Sequence, residues 1–307
     1  MADINNTKII LSTGRGNGLV ATQDTKTDNI LILIRKPYIV LPDKASLDKI
    51  CSWCLLPTPS YSASTAKESR TIGSTVGNKA QATTALQRCS GCRVSQYCSP
   101  ACQRADWKSI HAKECALLAA LPDVPPTPVR ALMRILLSHR FGLAWDPRWA
   151  RLEGHMDEMR NSEKWADVLL QARAAVSFAG VAHSSLELAV AALCRIHCNA
   201  FRATLLNTTP IGLCFEPTLA LANHSCTPNA YVAFEGRNIM LRTLVPVRKD
   251  EELFISYIDE NQPYHDRKLE LFRTYWFQCN CSRCEARSDA NDRNDGNDER
   301  LIEAENM

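Results

Sequence analysis

Eight residues of zinc-ligand type fall between positions 51 and 115: Cys51-x2-Cys54, Cys89-x2-Cys92-x5-Cys98-x3-Cys102 and His111-x3-Cys115. Zinc takes four soft or borderline donors at tetrahedral corners, and a C-x2-C turn presents two thiolates to one ion. Cys98 and Cys102 stand one helical turn apart and share a face, as do His111 and Cys115. Four such pairs make two closed, structural four-ligand sites, and they argue against a scatter of buried free thiols. Spacing alone leaves open which pair joins which. A third group, Cys279-x-Cys281-x2-Cys284, supplies three thiolates and leaves one corner empty. Arg88, Arg93, Arg104, Lys108 and Lys113 read as charge compensators for the thiolates rather than as a nucleic-acid patch. Cys194, His197 and Cys198 sit at helical spacing in an apolar run, and core packing is the expected use for them and for Cys214.

Three polar segments far apart in sequence could build a ligand site. In Arg15-Gly16-Asn17-Gly18 the glycines permit positive φ and bring backbone amides close to a ligand, although alone the segment reads equally as a hairpin turn. Asn223-His224-Ser225-Cys226-Thr227-Pro228-Asn229 places polar side chains between apolar runs, where they need partners. Glu251-Glu252-Leu253-Phe254-Ile255-Ser256-Tyr257 ends a strand on a tyrosine that faces either a cleft or the core.

The elements that must position these residues follow from periodicity. Residues 8–41 are β-branched and apolar, with a glycine loop at 14–18. Residues 129–141, 163–176 and 186–201 carry apolar residues at three- and four-residue spacing and read as helices. Residues 211–257 return to strands, with a hairpin across 231–244, and 263–276 reads as a short helix. Pro122–Pro128 is a stiff linker. Residues 57–85, rich in Ser, Thr, Ala and Gly, read as a mobile insertion, and 286–307 as a disordered tail.

Composition bounds the function. The 307 residues are 45% hydrophobic and 22% charged, enough for a sizeable core. The net charge of +3 argues against a dedicated nucleic-acid binder, and the acidic tail leaves a mildly basic body. The N-terminus lacks a secretory signal pattern and no apolar window is long enough for a membrane span. Fourteen cysteines without secretion point to metal ligation, in the nucleus or cytoplasm.

The segment CSGCRVSQYCSPACQRADWKSIHAKEC (89–115) resembles the MYND zinc finger. The resemblance implies interleaved sites: Cys51, Cys54, Cys98 and Cys102 on one zinc, and Cys89, Cys92, His111 and Cys115 on the other. The 34 residues between Cys54 and Cys89 are long for the family, which loop-closure entropy tolerates. MYND fingers often bind proline-rich peptides, so the resemblance implies either such a partner or a purely structural finger.

RGNG, NHSCTPN, EEL…SY and CxCxxC, in this order around a finger, resemble the SET and MYND domain (SMYD-type) protein-lysine methyltransferases over roughly residues 8–287. The implied fold is α+β: a SET-domain β-fold of small sheets with a pseudoknot, split by the inserted finger and a helical insert, and followed by a zinc-binding post-SET segment. The segments run 8–50 (N-terminal SET part), 51–115 (finger, insertion 55–88), 122–205 (linker and helical insert), 206–258 (core SET), 263–285 (post-SET) and 286–307 (tail). The resemblance implies S-adenosylmethionine contacts by Arg15, Asn17, Asn199, Asn223, His224, Tyr257 and Phe277, with Glu153 and His155 as looser matches. It also implies that Cys226 completes a third zinc with Cys279, Cys281 and Cys284. A family serine before the NHSC motif is Ala220 here, so one minor contact is expected to be lost. Many members continue into a C-terminal helical-repeat domain. Here about 23 residues follow Cys284, so a more open substrate cleft or a shorter branch is expected.

The expected reaction is methyl transfer to a lysine of a histone or another protein, by a monomer, with all three zincs structural. A free lysine has a pKa of about 10.4, so at neutral pH roughly one amine in a thousand is ready to react. An apolar channel lowers that value by penalising the cation. Phe201, Tyr275 and Phe277 are the expected channel walls and Tyr257 the catalytic residue. The main rival is a non-catalytic adaptor, a peptide-binding finger on a degenerate scaffold. A zinc-finger transcription factor is opposed by the modest charge and the absence of a groove-reading helix pattern.

Overall fold

The computed structural model describes residues 3–61, 85–143, 147–182 and 185–286. The mobile insertion expected at 57–85 and the disordered tail expected at 286–307 fall almost wholly outside these residues.

The β-branched N-terminal segment, residues 4–42, forms strands of three different sheets. Strand β1 (Ile4–Asn5) is short, and β2 (Thr7–Ser12) and β3 (Gly16–Ala21) form an antiparallel hairpin closing at Ser12↔Gly16. Gly14 (φ +71°) and Gly16 (φ +74°) take the left-handed conformations that this turn requires, which a Cβ would strain. The apolar stretch 30–41 then splits at Pro37 into β4 (Ile30–Ile34) and β5 (Ile39–Pro42), which enter different sheets.

The finger follows. Its two-stranded ribbon is β6 (Gln87–Arg88) and β7 (Gln96–Tyr97). Helix α1 (Pro100–Asp106) starts on Ser99, whose hydroxyl accepts from the Cys102 amide, with Pro100 at the first helical position. A single π turn, Trp107–His111, leads into α2 (Ala112–Ala120).

The helical layer is α3 (Thr127–Arg140), α4 (Met156–Arg160), α5 (Trp165–Phe178) and α6 (Leu186–Asn199). In α3, Leu132, Ile135 and Leu136 are buried, and in α6 so are Ala189, Val190, Leu193 and Ile196. These are the i, i+3, i+4 stripes that pay the helices' ordering cost. Helix α6 stops two residues before the end expected from its period: Ala200 is extended and Phe201 opens strand β8 (Phe201–Thr204). The apolar period continued into a strand that is itself half buried, so the two were indistinguishable in sequence.

Strands β8, β9 (Pro210–Phe215) and β5 form one sheet in the order β5-β9-β8. Strands β10 (Asn223–His224), β11 (Ala230–Glu235), β12 (Asn238–Thr243) and β13 (Phe254–Ile255) complete the set. The larger sheet runs β1-β4-β12-β11. Helices α7 (Tyr264–Tyr275) and α8 (Ser282–Ala286) close the described chain. Small sheets beside a separate helical layer match the expected α+β class. Among the described residues no helix is long and apolar enough to cross a membrane.

The pairing that builds the site is β10 with β13, parallel, with Asn223↔Phe254 and His224↔Ile255 in register. Asn229 staples it: its Oδ1 accepts from the Phe254 amide at 2.8 Å while its Nδ2 donates to the Glu252 carbonyl at 2.8 Å. An isolated bridge, Val20↔Glu252, ties the first hairpin to the same segment.

Candidate functional site

Three groups of ligand atoms converge, with every atom within 4.8 Å of the others in its group: Cys51, Cys54, Cys98 and Cys102; Cys89, Cys92, His111 and Cys115; and Cys226, Cys279, Cys281 and Cys284. In the first, the sulfur separations are 3.6 Å for Cys54–Cys98 and 3.5 Å for Cys98–Cys102. In the second, Cys89 and Cys115 lie 3.7 Å apart, and His111 Nε2 is 3.4 Å from Cys89 and 3.6 Å from Cys92. In the third, Cys226 is 3.5 Å from Cys284 and 4.0 Å from Cys279. A tetrahedron with Zn–S bonds of about 2.3 Å has edges of about 3.8 Å. The separations fit that polyhedron and are far longer than a disulfide bond of about 2.05 Å. Backbone amides support the thiolates: Cys98 N–H donates to Cys51 Sγ and Val94 N–H to Cys92 Sγ, each at 3.4 Å.

Behind His111 lies a buried ionic network that sequence reasoning missed. Glu114 Oε1 accepts from His111 Nδ1 at 2.9 Å, which turns Nε2 toward the sulfurs. Arg134, reaching from α3, donates to Glu114 through Nε at 2.9 Å and through its second nitrogen at 2.5 Å, and that nitrogen also reaches Asp106 at 3.4 Å. Tyr97 donates to Asp106 at 2.9 Å. Burial alone would raise the Glu114 carboxyl, but the Arg134 guanidinium and the hydrogen bond from His111 overcome it and hold it below the usual carboxylate range. Asp106, His111 and Glu114 also lie within ligand distance of one another. With Arg134 bonded to both carboxylates, that trio is an ion-pair network and not a further metal centre.

The second feature is a cavity of about 330 Å³, in the size range of small-molecule sites. The first hairpin contributes Arg15 and Asn17, the loop before α4 contributes Glu153 and His155, and α6 contributes Asn199. Strand β10 contributes Asn223 and His224, Tyr257 follows β13 by two residues, Tyr275 is the last residue of α7, and the segment after it contributes Phe277. Phe201, expected in the channel wall, is not among the lining residues. Its strand pairs it with Cys214 and it packs on the main core. The side chains missed in the wall are Arg151, Leu152, Cys198, Leu221, Gln278 and Asn280. Arg151 and Leu152 gave no signal in sequence, and Cys198 was hidden in an apolar helical run.

Several wall residues are held by hydrogen bonds. Asn17 Nδ2 donates to the Arg151 carbonyl at 3.2 Å, and Asn199 Nδ2 to the Glu153 carbonyl at 2.7 Å. The Arg15 guanidinium lies 5.3 Å from the centre of the Phe254 ring. His224 is buried, and burial reinforced by Arg267 lowers its pKa to about 4, so the ring is neutral. Its Nδ1 accepts from the Tyr257 amide at 3.1 Å, which leaves the proton on Nε2, 3.3 Å from Cys226 Sγ. One imidazole therefore joins the cavity wall to the third cysteine cluster.

Tyr257 sits in an aromatic corner, 4.9 Å from the Tyr275 ring and perpendicular to Phe277 at 6.3 Å. Its hydroxyl donates to the Ala222 carbonyl at 2.8 Å, and Tyr275 donates to the Tyr257 carbonyl at 3.1 Å. Burial, helped by Tyr275, pushes the Tyr257 phenol well above its ordinary pKa. Burial, followed by Glu270 and Cys198, raises Tyr275 to about 12. Both phenols are neutral at physiological pH. With its proton committed to Ala222, the Tyr257 oxygen offers only lone pairs to anything entering the cavity.

The MYND finger family matches residues 77–115. SET domain and MYND-type zinc finger protein 6 of Schizosaccharomyces pombe is 33% identical over 274 residues, 88% of this chain and 50% of the relative. Human histone-lysine N-methyltransferase SMYD3 is 28% identical over 284 residues, 88% of this chain and 59% of the relative. The chain thus spans about half the length of the curated relatives it matches. Among solved structures, the SET domain of LSMT bound to lysine and AdoHcy aligns with a TM-score of 0.38 at 16% identity, covering 91% of this chain and 54% of that one. That likeness is too loose to bear on the fold or the function.

Proposed function

We propose, from the SET and MYND domain arrangement that this chain carries, that it is a protein-lysine N-methyltransferase using S-adenosylmethionine. The observation that supports this most is the convergence of Asn17, Asn223 and Tyr257, from three segments of the chain, on one cavity. In this reading Arg15, Asn17, Glu153, His155, Asn199, Asn223, His224, Tyr257 and Phe277 hold the cofactor, and Tyr275 and Phe277 line the lysine channel. The three cysteine-rich clusters hold three structural zinc ions. The substrate is a histone or another protein.

When bound, S-adenosylmethionine supplies an electrophilic methyl group on a sulfonium. The chain supplies position and environment. Tyr275 and Phe277 form an apolar wall that penalises a lysine cation, which favours the free amine. A shift of three pKa units corresponds to about 4 kcal/mol. The Tyr257 oxygen, its proton held by Ala222, accepts a hydrogen bond from the amine and orients its lone pair. In an in-line displacement such positioning is a large part of the gain. The His224–Cys226 contact joins the wall to the third cysteine cluster, where Cys226, Cys279, Cys281 and Cys284 would hold a zinc ion that ties the 277–284 segment over the cavity.

The finger is read as a docking site for a proline-rich peptide, with Trp107, 48% exposed, as its aromatic surface. The protein is read as a monomer of the nucleus or cytoplasm, without membrane or strong nucleic-acid binding. The test is incubation of the chain with methyl-labelled cofactor and a cell extract, followed by identification of the labelled residues. Label on lysine Nε supports the assignment. No protein label, with peptide capture by the finger intact, favours the adaptor.

A further inference from the structure

We propose that Glu252 is a positioning residue that sets the polarity of the cavity wall through Asn223. This rests on reading the cavity as a cofactor site. Glu252 lies in the segment before β13, and its carboxylate reaches under the first hairpin. There it accepts from Ser12 Oγ at 2.9 Å through Oε2 and from Asn223 Nδ2 at 2.9 Å through Oε1. Asn223 Nδ2 also donates to the Asn17 carbonyl at 3.2 Å. Two acceptors at one end of an amide admit only its NH2 group there. Asn223 Oδ1 is therefore the end left free, and no described residue donates to it. Since Asn223 lines the cavity, its wall offers an acceptor at this point and is matched to a hydrogen-bond donor on the ligand.

The packing around the carboxylate is tight. A Cβ on Gly18 would lie 2.6 Å from Glu252 Oε1, 3.0 Å from Asn223 Nδ2 and 3.3 Å from Ser12 Cβ. Gly18 is thus glycine for close approach, whereas Gly16 is glycine for its backbone conformation. The hairpin can sit on the Glu252–Asn223 pair only because position 18 has no side chain. Among the described residues the Glu252 carboxylate bonds to Ser12 and Asn223 and to no residue of the aromatic corner or the cysteine clusters, so its effect falls on ligand affinity through Asn223.

The experiment is calorimetry with S-adenosylmethionine at pH 8 on the full chain, alongside kcat at saturating cofactor, a thermal melt and zinc content. Glu252→Ala should raise Kd about tenfold, as expected for an amide freed to rotate, with kcat at saturation within about threefold. Glu252→Gln, which keeps an acceptor for Asn223, should retain most of the affinity that alanine loses. Asn223→Asp sets two carboxylates against each other and should raise Kd at least about 100-fold. Adding Glu252→Gln to Asn223→Asp supplies a donor to the new carboxylate and should recover about tenfold of that loss. Parent binding with no recovery in the double variant overturns the proposal alone, as does a Glu252→Ala defect that tracks the melt and lowers kcat equally. A parent that shows no saturable heat removes the cofactor reading, and the proposal with it.

Discussion

Replacing Tyr257 by phenylalanine removes one oxygen and leaves the ring in place against Tyr275, at 4.9 Å, and Phe277. That oxygen makes one hydrogen bond in the structure, to the carbonyl of the fully buried Ala222. Leaving that carbonyl unpaired costs about 1–2 kcal/mol. At roughly 2–4 °C per kcal/mol for a chain of this size class, the melt should fall by no more than about 8 °C. Zinc content should stay at three ions, because the hydroxyl touches no cysteine cluster. Turnover should fall much further. The oxygen is the acceptor read as orienting the lysine amine, and loss of one such preorganised contact typically costs at least about 100-fold, or about 2.7 kcal/mol. The assay is transfer of labelled methyl to a lysine substrate at saturating cofactor, with melt and metal analysis on the same preparation. Turnover within about threefold of the parent, in a folded and zinc-loaded protein, would remove Tyr257 from the mechanism.

Other perturbations test the supporting parts. Cys226→Ser should lower the zinc content by one ion per chain and make residues 277–284 more susceptible to proteolysis, since Cys226 is the one cysteine of that cluster from outside residues 279–284; unchanged metal analysis would contradict it. Arg134→Met strands two buried carboxylates, Asp106 and Glu114, and should cost about 3–5 kcal/mol in denaturant unfolding, with part recovered by adding Glu114→Gln. Single-turnover rates should rise from pH 7 to pH 9 as the substrate amine loses its proton. The raised pKa of Tyr257 keeps its phenol neutral across this range, so no falling limb below pH 10 should appear that Tyr257→Phe abolishes.

The sequence was most legible where chemistry depends on close spacing. The C-x2-C turns and the Cys98/Cys102 and His111/Cys115 pairs were readable because a few backbone residues fix their geometry. Their interleaving was not readable from spacing, and came only from the resemblance to a known finger. The helical stripes of α3 and α6 were visible as period, but the end of α6 was not, because Phe201 is apolar in both the helical and the strand reading. Arg134 and Glu114 escaped because charged residues in amphipathic helices ordinarily face water, and nothing local shows that these two meet. Glu252 escaped for a related reason. It stands beside Glu251 in a run where alternate side chains face opposite ways, and only the fold shows which of the two turns toward Ser12 and Asn223.

Methyl transfer by this chain requires that the hairpin at residues 15–18, the 223–229 segment and Tyr257 enclose a single cofactor site. Titrating the zinc-loaded chain with S-adenosylmethionine measures this directly, with Asn17→Ala and Asn223→Ala as paired variants. Saturable one-to-one heat in the parent, weakened at least about tenfold by each substitution from its separate segment, is the predicted result. No saturable heat in the parent, or binding that ignores both asparagines, would contradict it.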